Sequence, residues 1–403
     1  MASSDSAIYL DYNATTPLDP KVKQDMIDAM ELWKNPSSSY SGDVKEAIEK
    51  ARRSVGEMIG ARDWKNEVIF TSGGTEANNW VLLSVAESSV AINGYNNNCD
   101  RNLPHIITSN IEHDAIKSPL ENMMKRGRIE VTFIPVDKSK AAVNVDQLLG
   151  AIKPNTVLIT LMLANNETGV IQPVAEIGQK LFFINTVRGK SNLPKILLHS
   201  DAAQAIGKIP VDVKSLNVDF MTIVGHKFYA PRIAALYINS NVSFKPLFYG
   251  GGQERALRPG TENTLCIVGL GTASDLVIEN IETYQEELNH LKTYFITKVK
   301  ETFTNEQILV NFENTKQLPN TISVSLIGSE YSGKEILQHL KHKLQASTGS
   351  ACHSSDHDSS SILISSGLEK SVASKTIRLS VGRETTMKQL DQVVQMFHDV
   401  HLN

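Results

Sequence analysis

Short apolar runs recur through the first two thirds of the chain, at residues 67–71, 105–110, 130–136, 156–164, 196–198, 220–224 and 233–239. Between them lie stretches with apolar residues at helical spacing, such as Val44, Ile48, Ala51, Val55 and Met58 within 43–59. Runs that are apolar throughout and rich in β-branched residues fit strands buried on both faces, and their alternation with helices predicts a mostly parallel α/β sheet with right-handed crossovers. From residue 263 the pattern changes. A long helical region to 303 leads to a strand at 321–326, a helix at 333–344, a strand at 376–381 and an amphipathic helix at 387–400, where Leu390, Val393, Val394, Phe397 and Val400 share one face. That order predicts a smaller α+β domain. Residues 185–194 are polar, break the helical pattern and read as a surface insertion.

In sheets of this kind ligands sit beyond the carboxyl ends of the strands, so the polar residues there are the candidates for chemistry. The 220–224 run ends in Gly225-His226-Lys227. A lysine against a strand that must be buried makes sense when desolvation lowers its pKa, because the neutral amine then forms a Schiff base with an aldehyde cofactor. Upstream, the 196–198 run ends in His199-Ser200-Asp201-Ala202-Ala203-Gln204. Pyridoxal phosphate needs such a lysine together with an acid at its pyridine nitrogen, and two neighbouring strand ends supply both. The 67–71 run opens into Ser72-Gly73-Gly74-Thr75-Glu76 at a helix start, where free N–H groups and the helix dipole suit an anion. Glu112-His113-Asp114 and Asn165-Asn166-Glu167-Thr168-Gly169 close two more strands, and a loop at 250–263, rich in glycine and bearing Arg255 and Arg258, is a further candidate for holding anions.

The 403 residues are enough for a large and a smaller core, and 41% hydrophobic with 21% charged residues is ordinary for a globular protein. A net charge of −4 argues against nucleic acid or an anionic membrane as partner. No apolar stretch approaches the ~18 residues of a membrane span. The start of the chain resembles neither a secretory signal nor a transit peptide, which points to the cytosol. Three cysteines, Cys99, Cys266 and Cys352, do not make a disulfide framework. Cys352 lies in a polar, small-residue-rich stretch at 346–361 that reads as a mobile loop, so it is a candidate nucleophile. A metal site from Cys352, His353, Asp356 and His357 is the rival, although the spacing does not match that of structural zinc sites.

Taken together and in order, Gly73 to Asn78, Glu112-His113, Asn165 to Gly169, Asp201 to Gln204, Gly225-His226-Lys227, Arg258 to Thr261 and Gly349-Ser350-Ala351-Cys352 resemble the NifS/IscS-like group of class V aminotransferase-fold enzymes, the cysteine desulfurases and selenocysteine lyases. The resemblance implies PLP fold type I. Its large domain, 14–262, holds a mainly parallel seven-stranded sheet, and 1–13 with 263–403 form the small domain carrying Cys352. It also implies a homodimer and pyridoxal 5'-phosphate as cofactor, with no metal. Lys227 would carry the cofactor, Asp201 would face the pyridine nitrogen and Gln204 the phenolic oxygen. His113 would stack on the ring and move protons, with Asn166 beside it. Gly74, Thr75 and His226 would hold the phosphate, joined by Thr261 from the second subunit. Asn13 and Arg378 would bind substrate, the arginine taking the carboxylate as a bidentate pair. Many relatives carry a phosphate-binding serine where this chain has Val224, so either one hydroxyl contact is lost or Thr222 is placed differently. The runs Gly250 to Arg255, Thr222 to Lys227 and Ala351 to His357 are most similar to the selenocysteine lyases. They imply conversion of L-selenocysteine to L-alanine, with selenium passed to a reductant or acceptor protein. The alternative is a cysteine desulfurase that forms a Cys352 persulfide. Asp114, where many desulfurases carry a basic residue, is expected to disfavour cysteine.

Overall fold

The computed structural model describes residues 7–92, 103–349 and 359–402. Cys99, Cys352 and the candidate metal donors His353, Asp356 and His357 lie outside them.

The seven apolar runs pair into one sheet in the order Val68–Thr71, Ala234–Ile238, Phe220–Val224, Leu197–Asp201, Thr156–Thr160, His105–Ser109, Glu130–Ile134. Six of these strands run the same way, and Ala234–Ile238 alone is antiparallel to both neighbours. The reason is length. Residues 225–233 are too few for a helical crossover, so the chain returns as a hairpin. Within Phe220–Val224 the side chains alternate between two buried layers. Phe220 packs with Trp80, Leu120 and Leu236, while Met221 and Ile223 face the layer that holds Val44, Val55 and Ile177. Helices therefore cover both faces, and every residue of this strand is buried.

A second core gathers around the antiparallel strands Leu309–Val310, Thr321–Ser325 and Thr376–Ser380. Ile8–Tyr9 pairs with Leu344–Gln345, and Leu10 is fully buried in this core with Phe295, Leu379 and Phe397. One helix, Thr264–Thr302, serves both cores: Ile267, Leu270, Ala273 and Val277 pack on the sheet layer, and Leu288, Phe295 and Val299 on the smaller one. That double role makes it apolar enough, by length and composition, to pass for a membrane span. The sequence reading found no such stretch; the helix's own two cores account for the apolar residues.

The surface insertion expected at 185–194 is only partly one. Helix Val174–Lys190 continues through half of it. Two of its polar residues are turned inward for a reason: Asn185 brackets the main chain of Ile196, donating to its carbonyl at 2.9 Å and accepting from its N–H at 2.8 Å. Arg188, only 6% exposed, donates to the carbonyls of Pro194, Lys153, Pro154 and Thr156 at 2.9, 3.1, 2.9 and 3.0 Å. It thereby pins the turn before Thr156–Thr160 and the turn before Leu197–Asp201, two strands whose ends build the cavity described next. Replacing Arg188 with methionine leaves these carbonyls unpaired and is expected to lower stability by about 3 kcal/mol, read from urea unfolding. A change below about 0.5 kcal/mol would make Arg188 a surface group.

Candidate active site

Because six strands share a direction, their carboxyl ends fall on one edge of the sheet, and a cavity of about 290 Å³ opens there. Gly74, Thr75 and Asn78 reach it after strand Val68–Thr71, His113 after His105–Ser109, and Met162, Ala164 and Asn166 after Thr156–Thr160. Asp201, Gln204, Val224, His226 and Lys227 complete the sheet side, while Asn13 and Arg378 come from the smaller core. A larger open cleft of about 530 Å³, walled by Phe182, Lys195, Asp219 and Tyr237, lies at the opposite strand ends. It gathers no comparable set, since Lys195 is already paired with Asp219 at 2.6 Å.

Lys227 Nζ donates to the main-chain carbonyls of Asn13 at 2.7 Å and Ala14 at 2.9 Å. Asp201, on the adjacent strand, accepts from Ala203 N–H at 3.0 Å and from Asn78 Nδ2 at 2.7 Å. Behind Asn78 stands a buried chain. Thr222 Oγ1 donates to Asn78 Oδ1 at 2.6 Å, and its oxygen is 3.1 Å from His199 Nε2, whose Nδ1 is 2.8 Å from Thr160 Oγ1. Since the Thr222 hydroxyl is committed to Asn78, His199 must carry its proton on Nε2 and accept from Thr160. The ring is neutral, its pKa pushed down to about 4 by burial against the opposing pull of Asp201. Every donor in the chain thus points toward Asp201. This also answers the question left by Val224: Thr222 is turned away to serve Asn78, and Val224 packs at Gly74, where a Cβ would meet its Cγ2 at 2.6 Å.

His113 caps helix Asp114–Lys125, its Nδ1 accepting from Ala115 N–H at 3.1 Å, which leaves Nε2 as the nitrogen free to move a proton. Glu112 beside it is fully buried, and burial pushes its carboxyl up to about 8 despite hydrogen bonds from Ser109 and Met162. His226 is pushed down to about 4 by burial and then by Lys227, Arg232 and Lys208. Arg378 is held by the carbonyl of Asn166 at 2.8 Å on Nη1 and by Asp11 on Nη2. Among the described residues its Nε is buried without a partner, as is Asn166 Oδ1, and both residues line the cavity. Such atoms are satisfied by a ligand or by water.

Thr261 is exposed and does not line this cavity of its own chain. The arginines of the 250–263 loop are occupied elsewhere: Arg258 grips Glu76 at 3.0 Å, and Arg255 donates to the carbonyls of Lys65, Asn66 and Val68. Cys352 is outside the described residues, but both described ends of its segment are anchored near the cavity. Ser347 pairs with the main chain of Arg378, and Ser360 Oγ donates to Glu167. Two residues escaped the sequence reading as individuals, Asn78 and Lys208. Asn78 was visible within a helix-start motif; Lys208, seven positions after Asp201, carried no signal.

The chain matches the family model for class V aminotransferases over residues 8–393. It is 47% identical to selenocysteine lyase of Xenopus tropicalis over 96% of this chain and 92% of that protein. To cysteine desulfurase IscS of Clostridium botulinum it is 38% identical, over 96% and 93%. A solved structure of a NifS-like protein superposes with a TM-score of 0.83 at 30% identity, over 98% of this chain and 99% of that one. The agreement runs along nearly the whole chain rather than through one motif, and the protein belongs to the class V aminotransferase family, in its NifS/IscS-like group.

Proposed function

We propose that this protein is a pyridoxal-phosphate enzyme that removes selenium from L-selenocysteine and leaves L-alanine. What supports the reading is the convergence of Lys227, Asp201 and Arg378 on one cavity, together with 47% identity to a protein named selenocysteine lyase. The residues fit the cofactor. Lys227 offers an amine for the aldehyde and Asp201 an acceptor for a ring N–H. The bare backbone at Gly74, at the start of helix Gly74–Ile92, admits a phosphate, with the Val224 methyls where a hydroxyl would otherwise add a contact.

When bound, pyridoxal phosphate supplies an electron sink that lets a Cα proton leave and the bond from Cβ to selenium break. The rest is the work of this chain. Lys227 would hold the cofactor through its aldehyde and, as a free amine, would move the Cα proton. Arg378, already oriented by Asp11 and Asn166, takes the substrate carboxylate. His113 Nε2 shuttles a proton at the departing selenium. His226 would donate a hydrogen bond to the phosphate. Cys352 as a thiolate would take the selenium: the S–Se bond would form as the bond from selenium to Cβ breaks, the electron pair would stay on the carbon side, and a proton at Cβ would complete L-alanine. A desulfurase that builds a persulfide on Cys352 is the second reading, favoured by 38% identity to a cysteine desulfurase and by the pairing of Ser347, five residues before Cys352, with Arg378. Selenium is favoured by charge: a selenol is ionised at neutral pH, whereas a free thiol with pKa about 8.5 is not. Asp114, at the helix start beside His113, raises the cost of a thiolate.

A second copy of the chain completes the site with its Thr261. The support is a cluster of exposed aromatic residues: Trp33 at 81%, Tyr40 at 74% and Tyr249 at 85% exposed, on loops joined by Gln253 Nε2 to Ser37 Oγ at 3.4 Å. Exposed apolar patches of this kind mark interfaces.

Anaerobic alanine release from L-selenocysteine and L-cysteine, measured in parallel, is expected to favour selenocysteine strongly, with little persulfide on Cys352. Equal turnover of the two would establish the desulfurase reading instead. In the same assay Asp114→Lys should narrow the preference about tenfold, the scale of one close charge contact at a surface; an unchanged ratio removes Asp114 from the account. For the assembly, Tyr249→Glu is expected to give monomers in light scattering and to speed cofactor loss on gel filtration. A variant that stays dimeric and retains cofactor would place the interface elsewhere.

A further inference from the structure

Lys208 is a second lysine buried beside Lys227, and nothing above gives it a task. It is 4% exposed, and among the described residues it forms no ion pair. Its Nζ donates to Gln204 Oε1 at 2.8 Å and to Asn13 Oδ1 at 3.3 Å. Burying an amine among neutral groups carries a desolvation penalty. Burial, followed by the charges of Lys227 and Arg378, holds its pKa well below the usual lysine range. The neighbouring titratable and charged groups are Lys227, His226, Asp201 and Arg378 with its partner Asp11.

What Lys208 does is remove an ambiguity. The two ends of a primary amide have nearly the same shape and opposite polarity, and only their partners decide which way the group points. Gln204 lies between Lys208 Nζ and the carbonyl of Asn13, to which its Nε2 donates at 3.0 Å. A carbonyl only accepts, and an amine donates in either protonation state. Reversing the amide would set oxygen against oxygen at Asn13 and turn its NH2 toward Nζ, which accepts only through the lone pair of its neutral form and not while it donates as an ammonium. The Asn13 side chain is fixed in the same manner. Oδ1 receives Lys208 and Asn320 Nδ2 at 3.0 Å, while Nδ2 donates to the Asn166 carbonyl at 3.2 Å and to Thr321 Oγ1 at 2.8 Å. Gln204 Nε2 has two hydrogens. One goes to Asn13, and the other is what this cavity-wall residue can offer a ligand.

We propose that Lys208 is a positioning residue: it orients the Gln204 amide so that an N–H, not a carbonyl, faces the bound cofactor, and through Asn13 it steadies the carbonyl that receives Lys227. The inference rests on the cofactor reading above, with Gln204 donating to the cofactor's phenolic oxygen. It makes Lys208 act through hydrogen-bond polarity and not through its own charge.

The test is a spectrophotometric pH titration of the protein loaded with pyridoxal phosphate. Loss of the Gln204 donor makes the cofactor hold its own proton more tightly, so Lys208→Met is expected to raise the midpoint of the visible absorbance change by about one pH unit. Gln204→Leu should raise it similarly, and the double variant no further than Gln204→Leu alone. Additive shifts would mean that Lys208 acts directly by charge and would overturn the proposal, as would an unmoved midpoint in Lys208→Met. If Lys208→Met does not fold, Lys208→Gln, which keeps a donor, carries the test: a midpoint near wild type supports positioning, and a shift as large as that of Gln204→Leu refutes it. A wild-type chain that takes up no cofactor and shows no visible band would bring down the cofactor reading itself, and this inference with it.

Discussion

Lys227 and Arg378 stand in the wall of one small cavity with Lys208 buried beside Lys227, and residues 11–14 make that arrangement possible. Asp11 neutralises Arg378. The carbonyls of Asn13 and Ala14 receive Lys227, and the Asn13 side chain receives Lys208 while donating to Asn166 and Thr321. This short segment joins the two cores: Leu10 before it belongs to the smaller one, and Thr16 after it pairs with the carbonyl of His226 at the sheet edge. Like charges this close repel, and burial raises the cost. The excess positive charge is the feature that suits the cavity to an anionic cofactor and an anionic substrate.

The opposite wall is organised by direction instead of charge. From Thr160 through His199, Thr222 and Asn78, each group donates to the next, and the series ends on Asp201. Buried polar chains stabilise a fold only when each member is satisfied, and this one is, because His199 is held neutral in a single tautomer. The chain crosses three adjacent parallel strands, Thr156–Thr160, Leu197–Asp201 and Phe220–Val224, so it depends on the strand register that brings Asp201 opposite Thr222.

That register is where sequence reading ran out. The seven strands, the strand-end position of Lys227 and its place next to the strand ending in Asp201 were legible, since local periodicity and residue type carry them. The reversed strand Ala234–Ile238 could be read only from the shortness of the 225–233 connection, and the continuation of Val174–Lys190 past residue 185 was hidden because Asn185 and Arg188 look like surface residues until the carbonyls they serve are in place. Asn78 acts through Asp201, and Lys208, besides Gln204 four residues before it, through Asn13, each of these two partners more than a hundred residues away. No spacing rule reaches that far. Arg378 entered by resemblance alone, since one arginine in an apolar strand carries no message until Asp11 and the Asn166 carbonyl are seen to frame it.

The central claim is that, of the two lysines at this site, Lys227 alone is placed to carry the cofactor, while the buried Lys208 holds the groups around it. Borohydride reduction of the pyridoxal-phosphate-loaded protein, followed by peptide mass mapping, tests this in one step. The account predicts a single phosphopyridoxyl adduct on Lys227. An adduct on Lys208, or none on either lysine, would contradict it.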